Sequence, residues 1–112
     1  MNTLIVGVDS DIGFELYKMI PNCDGTSRRN NDFIHLDVED KSTWNVTSKY
    51  DEIYYCIGIN GRDNPPIKTI SVNGVLSYEC LDYLATRVND SGRINVLTSI
   101  VSSMQLNLEK YI

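Results

Sequence analysis

The chain has 112 residues, a formal net charge of −5 at pH 7, 42% hydrophobic residues and 22% charged residues. This length predicts one domain over 1–112, and the proportions are ordinary for a soluble globular fold. The acidic balance argues against a nucleic-acid partner, because such a footprint needs many clustered lysines and arginines. The one basic pair, Arg28 and Arg29, suffices for a single phosphate.

Cysteine usage and the N-terminal run bear on the cellular compartment. The three cysteines, Cys23, Cys56 and Cys80, are far apart and odd in number, which favours buried reduced thiols over disulfides or a metal site. The first apolar run is too short for a signal peptide or a membrane span. We therefore expect a cytoplasmic protein with no membrane partner and no bound metal.

Strand and helix patterns alternate along the chain with short connections. The predicted elements are a buried strand over 4–8, a helix that starts at Ile12 and is stopped by Pro21, a short strand ending near Thr26, a strand over 32–36, a short helix capped by Asp40, a strand over 52–59, a long helix over about 67–88 and a strand over 93–100. Residues 89–92, NDSG, are expected to end the long helix, and residues 102–112 fit either a strand or a helical turn. The alternation predicts an α/β fold: a doubly wound, Rossmann-like parallel sheet of about five strands in three layers.

The first strand–helix turn has the sequence GVDSDIG. In a doubly wound sheet this turn faces the ligand crevice, where backbone N–H groups and the helix dipole favour a phosphate. Asp11 stands where a glycine usually lets the backbone approach the pyrophosphate, so its carboxylate either opposes a phosphate or turns outward. Ser10 or Asp11 can cap the helix, and capped glycine turns also begin many helices that bind no nucleotide. The candidate cofactor-binding residues of this turn are Gly7, Asp9, Ser10, Asp11, Ile12 and Gly13.

A basic turn follows the second predicted strand. Ser27, Arg28 and Arg29 lie where a doubly wound sheet contacts the adenosine ribose, and arginine there favours a 2′-phosphate over a free hydroxyl. This turn predicts NADP(H) rather than NAD(H) as the bound dinucleotide. The alternative is an ordinary solvated basic turn.

The third and fourth strands end in residues that suit the same ligand. Asp37 can accept a hydrogen bond from an adenine amino group, and Gly58 allows the backbone close to a ribose. As alternatives, Asp37 is a turn or capping aspartate and Gly58 a simple turn glycine. His35, within a strand, is expected to be a packed or surface histidine.

With these turns in order, nearly the whole chain resembles the short-chain dehydrogenase/reductase family. VGVDSDIG is similar to that family's TGxxxGIG, LDVED to its adenine turn with Asp37 and Val38, and YCIG at 55–58 stands in place of NNAG. SVNGV matches the helix asparagine motif and places Asn73. GRINVLTSIVSS matches the strand that ends in the catalytic serine and places Ser99.

The resemblance implies an NADP(H)-dependent oxidoreductase in which Ser99 orients a substrate carbonyl and Asn73 supports a proton relay. The family's Tyr-x-x-x-Lys pair should begin close to the chain end, near Tyr111, but no lysine follows it at the required spacing and Lys110 precedes it. Because the tyrosine is the family's acid or base, little hydride transfer is expected. The chain therefore resembles a family member truncated after its fifth strand.

The resemblance also bears on partners and leaves the function open. Family members continue with a further helix and strand, so this chain is expected to form a homo-oligomer through the 67–88 helix or the edge of the last strand. The alternative to a dehydrogenase-like protein is a non-catalytic nucleotide-binding or self-associating module. A methyltransferase-like binder of an adenosine cofactor would need an acid after the second strand, where Asp24 is a poor candidate and Arg28 argues against it.

Overall fold

The computed structural model describes residues 2–59 and 63–97. Five strands lie in these ranges: β1 (Thr3–Val6), β2 (Asp24–Ser27), β3 (Ile34–His35), β4 (Tyr50–Tyr55) and β5 (Val88–Val96). The helical elements are α1 (Asp11–Met19), a 3-10 helix (Lys41–Thr43), α2 (Pro66–Ile70), a π-helical turn (Ser71–Leu76) and α3 (Ser77–Ala85). The last three follow one another directly, and we call them together the 66–85 helix.

The strands form one parallel sheet in the order β3-β2-β1-β4-β5. This confirms the predicted α/β class and the five-stranded parallel sheet. The chain adds strands outward from β1 to β3, then crosses to β4 on the other side of β1. Strand β1 is central, and its Leu4, Ile5 and Val6 are fully buried, as its continuous apolar run predicts.

The two faces of the sheet are covered by different helices. Because side chains alternate along a strand, Ile5 faces α1 while Leu4 and Val6 face the 66–85 helix. Helix α1 contributes Leu16 and Tyr17 to the first face, and its C-cap residue Ile20 packs there as well. The 66–85 helix contributes Val72, Cys80 and Leu84 to the second face, which holds most of the core.

A buried hydroxyl pair accompanies the π-helical turn. The Ser77 hydroxyl donates to the backbone carbonyl of Val72, five residues earlier, at 2.6 Å. The Tyr55 hydroxyl lies 2.6 Å from Ser77 Oγ, and since the serine proton is already used, the tyrosine donates. Burial raises the pKa of Tyr55, so the phenol remains neutral. A side chain inserted into the helix in this way is a known cause of local departure from α geometry.

Several predicted boundaries differ from the structure for identifiable reasons. Strand β1 ends at Val6 because Gly7 has φ +92° and turns the chain. Asp40 caps a helical turn as predicted, accepting from the Ser42 amide at 3.1 Å, but the turn is a 3-10 helix of three residues.

The prediction that NDSG ends the long helix was wrong. The 66–85 helix ends at Ala85, and residues 89–92 belong to β5. The pairing of β5 with β4 shifts register between Tyr50 and Glu52. The side-chain nitrogen of Asn89 donates to the Asp51 carboxylate at 3.0 Å. An irregular strand pair thus accommodates residues whose local preference is for a turn. Of the predicted last strand, 98–100 lie outside the described residues, as does all of 102–112.

Candidate functional site

A cavity of about 200 Å³ lies at the carboxyl edge of the sheet. Its walls come from the segments that follow β1, β2, β3 and β4, because the carboxyl ends of parallel strands meet at one edge. The cavity brings together these residues singled out from the sequence: Gly7, Asp9, Ser10, Arg28, Arg29, Asp37, Val38 and Gly58.

Gly7 sets the course of the first turn. Its positive φ is a conformation that side-chain-bearing residues rarely adopt, and a Cβ there would lie 2.9 Å from Ile57 Cγ1. The Gly7 amide donates to the hydroxyl of buried Thr26 at 3.1 Å, which ties the turn to β2. Thr26 was not singled out as a site residue, and its position at the end of the short strand before the basic turn is the signal that could have found it.

Ser10, rather than Asp11, caps α1. The Ser10 hydroxyl accepts from the Gly13 amide at 3.0 Å and donates to the Gly7 carbonyl at 3.0 Å. Gly13 is buried against this turn and lies outside the cavity wall. Asp11 is the first helical residue, exposed and away from the cavity, where a carboxylate suits the helix dipole. Ile12 is 45% exposed and does not line the cavity either.

Asp9 connects the first turn to the end of β2. Its two carboxylate oxygens lie 2.7 and 2.9 Å from Ser27 Oγ, and one of them also accepts from the Arg28 amide at 3.1 Å. Ser27 is buried, and its hydroxyl oxygen accepts from the Arg29 and Asn30 amides at 3.1 and 2.9 Å. The side chain of Ser27 therefore faces Asp9 and does not line the cavity, whereas the exposed Arg28 and Arg29 do.

The segment after β3 is held by backbone contacts of Asp37. Its amide donates to the Thr43 hydroxyl at 2.8 Å, and its carbonyl accepts from the Trp44 indole at 3.0 Å. One oxygen of the Asp37 carboxylate accepts from the Glu39 amide at 2.9 Å. Glu39 also lines the cavity, and sequence reasoning missed it because nothing local distinguishes it from a solvated acid. Val38 is buried and contributes apolar surface.

The segment after β4 supplies the apolar part of the wall. Ile57 and Ile59 flank the exposed Gly58, and the buried Cys56 lies beside them. Burial raises the pKa of the Cys56 thiol to about 11, so it stays protonated at neutral pH and is a poor nucleophile. Val72, from the 66–85 helix, completes this part. Cys56 and Ile57 lie in the YCIG motif and Val72 in SVNGV, but the sequence analysis named only Gly58 and Asn73 of these motifs as site residues.

Asn73 holds the segment after β4 in place. Its side-chain oxygen accepts from the Ile59 amide at 2.9 Å, and its side-chain nitrogen donates to the Ile59 carbonyl at 2.8 Å. Asn73 does not itself line the cavity; it positions Ile59, which does. Ser99, the other residue predicted to be catalytic, lies outside the described residues.

The cavity wall carries three carboxylates, Asp9, Asp37 and Glu39, and two guanidinium groups, Arg28 and Arg29. Among residues 2–59 and 63–97, no group of three or more histidine, cysteine, aspartate or glutamate side chains is placed to hold a metal ion. In the same ranges no helix has the length and apolar character needed to cross a bilayer. Comparison of the chain with protein-family models, curated proteins and solved structures finds no match.

Proposed function

We propose that the chain binds an adenine dinucleotide in the cavity at the carboxyl edge of the sheet, with NADP(H) favoured over NAD(H). The observation that carries the proposal is the position of the cavity. It lies where the strand order changes direction, next to β1 and β4, and the glycine turn that leads into α1 forms part of its wall. In a doubly wound, Rossmann-like fold, which we propose for this sheet and its helices, nucleotides bind at this point.

The size and polarity of the cavity support an adenosine group as the part that is enclosed. Its volume is below the range of about 300–1,000 Å³ typical of sites for drug-sized ligands. An adenine would lie against apolar Val38 and Ile59, and the arginines after β2 would reach a phosphate on the ribose. The pyrophosphate would lie at the first amides of α1, outside the enclosed volume.

An oxidoreductase of the short-chain dehydrogenase/reductase type is the activity that the sequence motifs favour, with Ser99 and Asn73 as catalytic residues. The second candidate is a non-catalytic nucleotide-binding module. The two hydrogen bonds between Asn73 and Ile59 favour it, because they give this side chain a structural role in holding the segment after β4 that needs no catalysis. A turnover assay with NADPH and simple carbonyl substrates separates the two, and we expect no measurable oxidation by the 112-residue chain.

Titration of the purified chain with NADPH, NADH and S-adenosylmethionine tests the binding proposal. We expect NADPH to bind, and Arg28→Ala to weaken NADPH about tenfold while changing NADH little, since arginine contacts the additional phosphate. Lys49→Ala removes a positive charge from an exposed position that is not part of the cavity wall and serves as the matched control. Absence of binding by all three ligands would refute the proposal.

We also propose self-association through the 66–85 helix. Its exposed side carries Ile67, Ile70, Val75 and Tyr78, each more than half exposed. Large apolar side chains grouped on one element are more typical of an interface than of a solvated helix. The occupant that we favour is a second copy of the chain.

A further inference from the structure

Hydrogen-bond donors at the end of β2 hold a carboxylate of the chain itself, that of Asp9. The donors that meet at this point are the Ser27 hydroxyl and the Arg28 amide, and both are directed at the Asp9 carboxylate. The Ser27 oxygen is fixed in turn by two backbone amides, so its single proton is directed at Asp9. Two guanidinium groups, of Arg28 and Arg29, stand beside this site in the cavity wall.

We propose that Asp9 is a specificity-determining residue that limits the affinity of the site for a ribose 2′-phosphate. This inference rests on the proposed nucleotide-binding function. A 2′-phosphate carries about two negative charges and needs donors of the kind that Asp9 already occupies. To bind, it must either displace the carboxylate from Ser27 and Arg28 or lie beside a like charge.

A ribose with a free 2′-hydroxyl meets no such conflict. A carboxylate has about four lone-pair positions, and the contacts of Asp9 within the chain leave acceptor capacity for a hydroxyl proton. The 2′-hydroxyl can therefore donate to Asp9 while the contacts to Ser27 and Arg28 persist. Asp9 thus opposes the preference that Arg28 and Arg29 create, and the balance between these charges sets the selectivity of the site.

The loop provides a matched control for this inference. Asp9→Asn removes the charge but keeps an oxygen that can accept from Ser27 and Arg28. Asp11→Asn makes the same change in net charge two residues away, on an exposed side chain outside the cavity wall. If the effect comes from the local contact, only the first substitution changes the selectivity.

Two probes that differ by one phosphate, 5′-AMP and 2′,5′-ADP, measure the selectivity at the enclosed adenosine. The quantity of interest is the ratio of the Kd of 5′-AMP to the Kd of 2′,5′-ADP, obtained by calorimetric titration. We expect Asp9→Asn to raise this ratio about tenfold, and Asp11→Asn to leave it within about twofold of the unsubstituted chain. Asp9→Ser, which also removes the charge, replaces Asp9→Asn if that variant does not fold.

The outcomes separate the inference from the proposed function. Binding of both probes with an unchanged ratio in the Asp9 variants overturns the role of Asp9 and leaves nucleotide binding in place. An equal rise in Asp11→Asn also overturns it, because the effect would then be a matter of net charge. Failure of both probes, and of NADPH and NADH, to bind any variant refutes nucleotide binding itself and the role of Asp9 with it.

Discussion

Replacing Gly13 with alanine tests whether the first turn packs as the structure describes. A Cβ on Gly13 would overlap the carbonyl oxygen of Gly7 and lie 2.8 Å from Ser10 Oγ. Neither atom can move alone. The Gly7 amide is tied to Thr26 on β2, and the Ser10 hydroxyl bonds both glycines. Helix α1 would therefore have to move away from β1.

The expected loss of stability in Gly13→Ala follows from the contacts that the added methyl group would disturb. Loss of the bond from the Gly13 amide to the Ser10 cap costs about 1 kcal/mol. Forcing a methyl group into a filled space costs about 1–3 kcal/mol more. The better helix propensity of alanine returns about 1 kcal/mol. We therefore expect Gly13→Ala to lower the free energy of unfolding by about 1–3 kcal/mol, a substantial share of the roughly 5–15 kcal/mol typical of a whole protein.

Gly74→Ala is the matched control for this substitution. A Cβ at Gly74 meets no atom within 4 Å, so alanine fits there without a clash. Alanine also loses less conformational entropy than glycine when the chain folds into a helix. We expect a gain of about 0.5–1 kcal/mol, opposite in sign to Gly13→Ala. Urea unfolding followed by far-ultraviolet circular dichroism measures both variants. A Gly13→Ala variant as stable as the unsubstituted chain would refute the packing of the first turn. A Gly74→Ala variant that loses as much stability would show that the loss is not specific to that turn.

Two further predictions concern acid stability and assembly. Hydrogen bonds from the Asn2 amide and the Asn89 side chain hold the pKa of Asp51 below its usual value. Its stabilisation is therefore present above the unfolded-state pKa of about 4 and is lost as the pH falls through the lowered value. The urea midpoint of the unsubstituted chain should therefore decrease as the pH falls below about 4, and the decrease should be smaller in Asp51→Asn. Parallel pH profiles of the two proteins would contradict this prediction. At micromolar concentration, sedimentation of the unsubstituted chain should show a dimer or a larger species. Tyr78→Asp should convert it to a monomer, because a charge replaces an exposed aromatic ring on the 66–85 helix. A monomeric unsubstituted chain would exclude the proposed interface on this helix.

The central part of the fold could be predicted from the sequence because its signals are local and strong. Leu4, Ile5 and Val6 of β1 form a continuous apolar run, as expected for a strand buried on both faces. The apolar positions of α1 repeat at helical spacing beside Ser10, a good capping residue. Residues 89–92 were misread because their preference for a turn is overridden by pairing with β4, a contact that local sequence does not show.

The site could be predicted only to the level of which turns form it. Parallel topology brings the strand ends together, so residues such as Arg28 and Gly58 were found from their position alone. The contact between Asp9 and Ser27 joins residues 18 positions apart, and no spacing rule indicates it. Asn73 was found as a helix asparagine, but its two bonds to Ile59 became visible only when the helix was packed beside β4.

The π-helical turn divides the 66–85 helix into two segments that follow different helical registers. Val72, at the start of the turn, lines the cavity and reaches the core, and after the turn Cys80 and Leu84 face the core. The turn holds one residue more than α geometry needs. Deleting one residue there would restore an α-helix but rotate one segment against the other by about 100°. Either the hydrogen bond between Ser77 and Tyr55 would then be lost, or Val72 would leave the cavity wall. The shape of the site and the packing of the core therefore depend on the same additional residue.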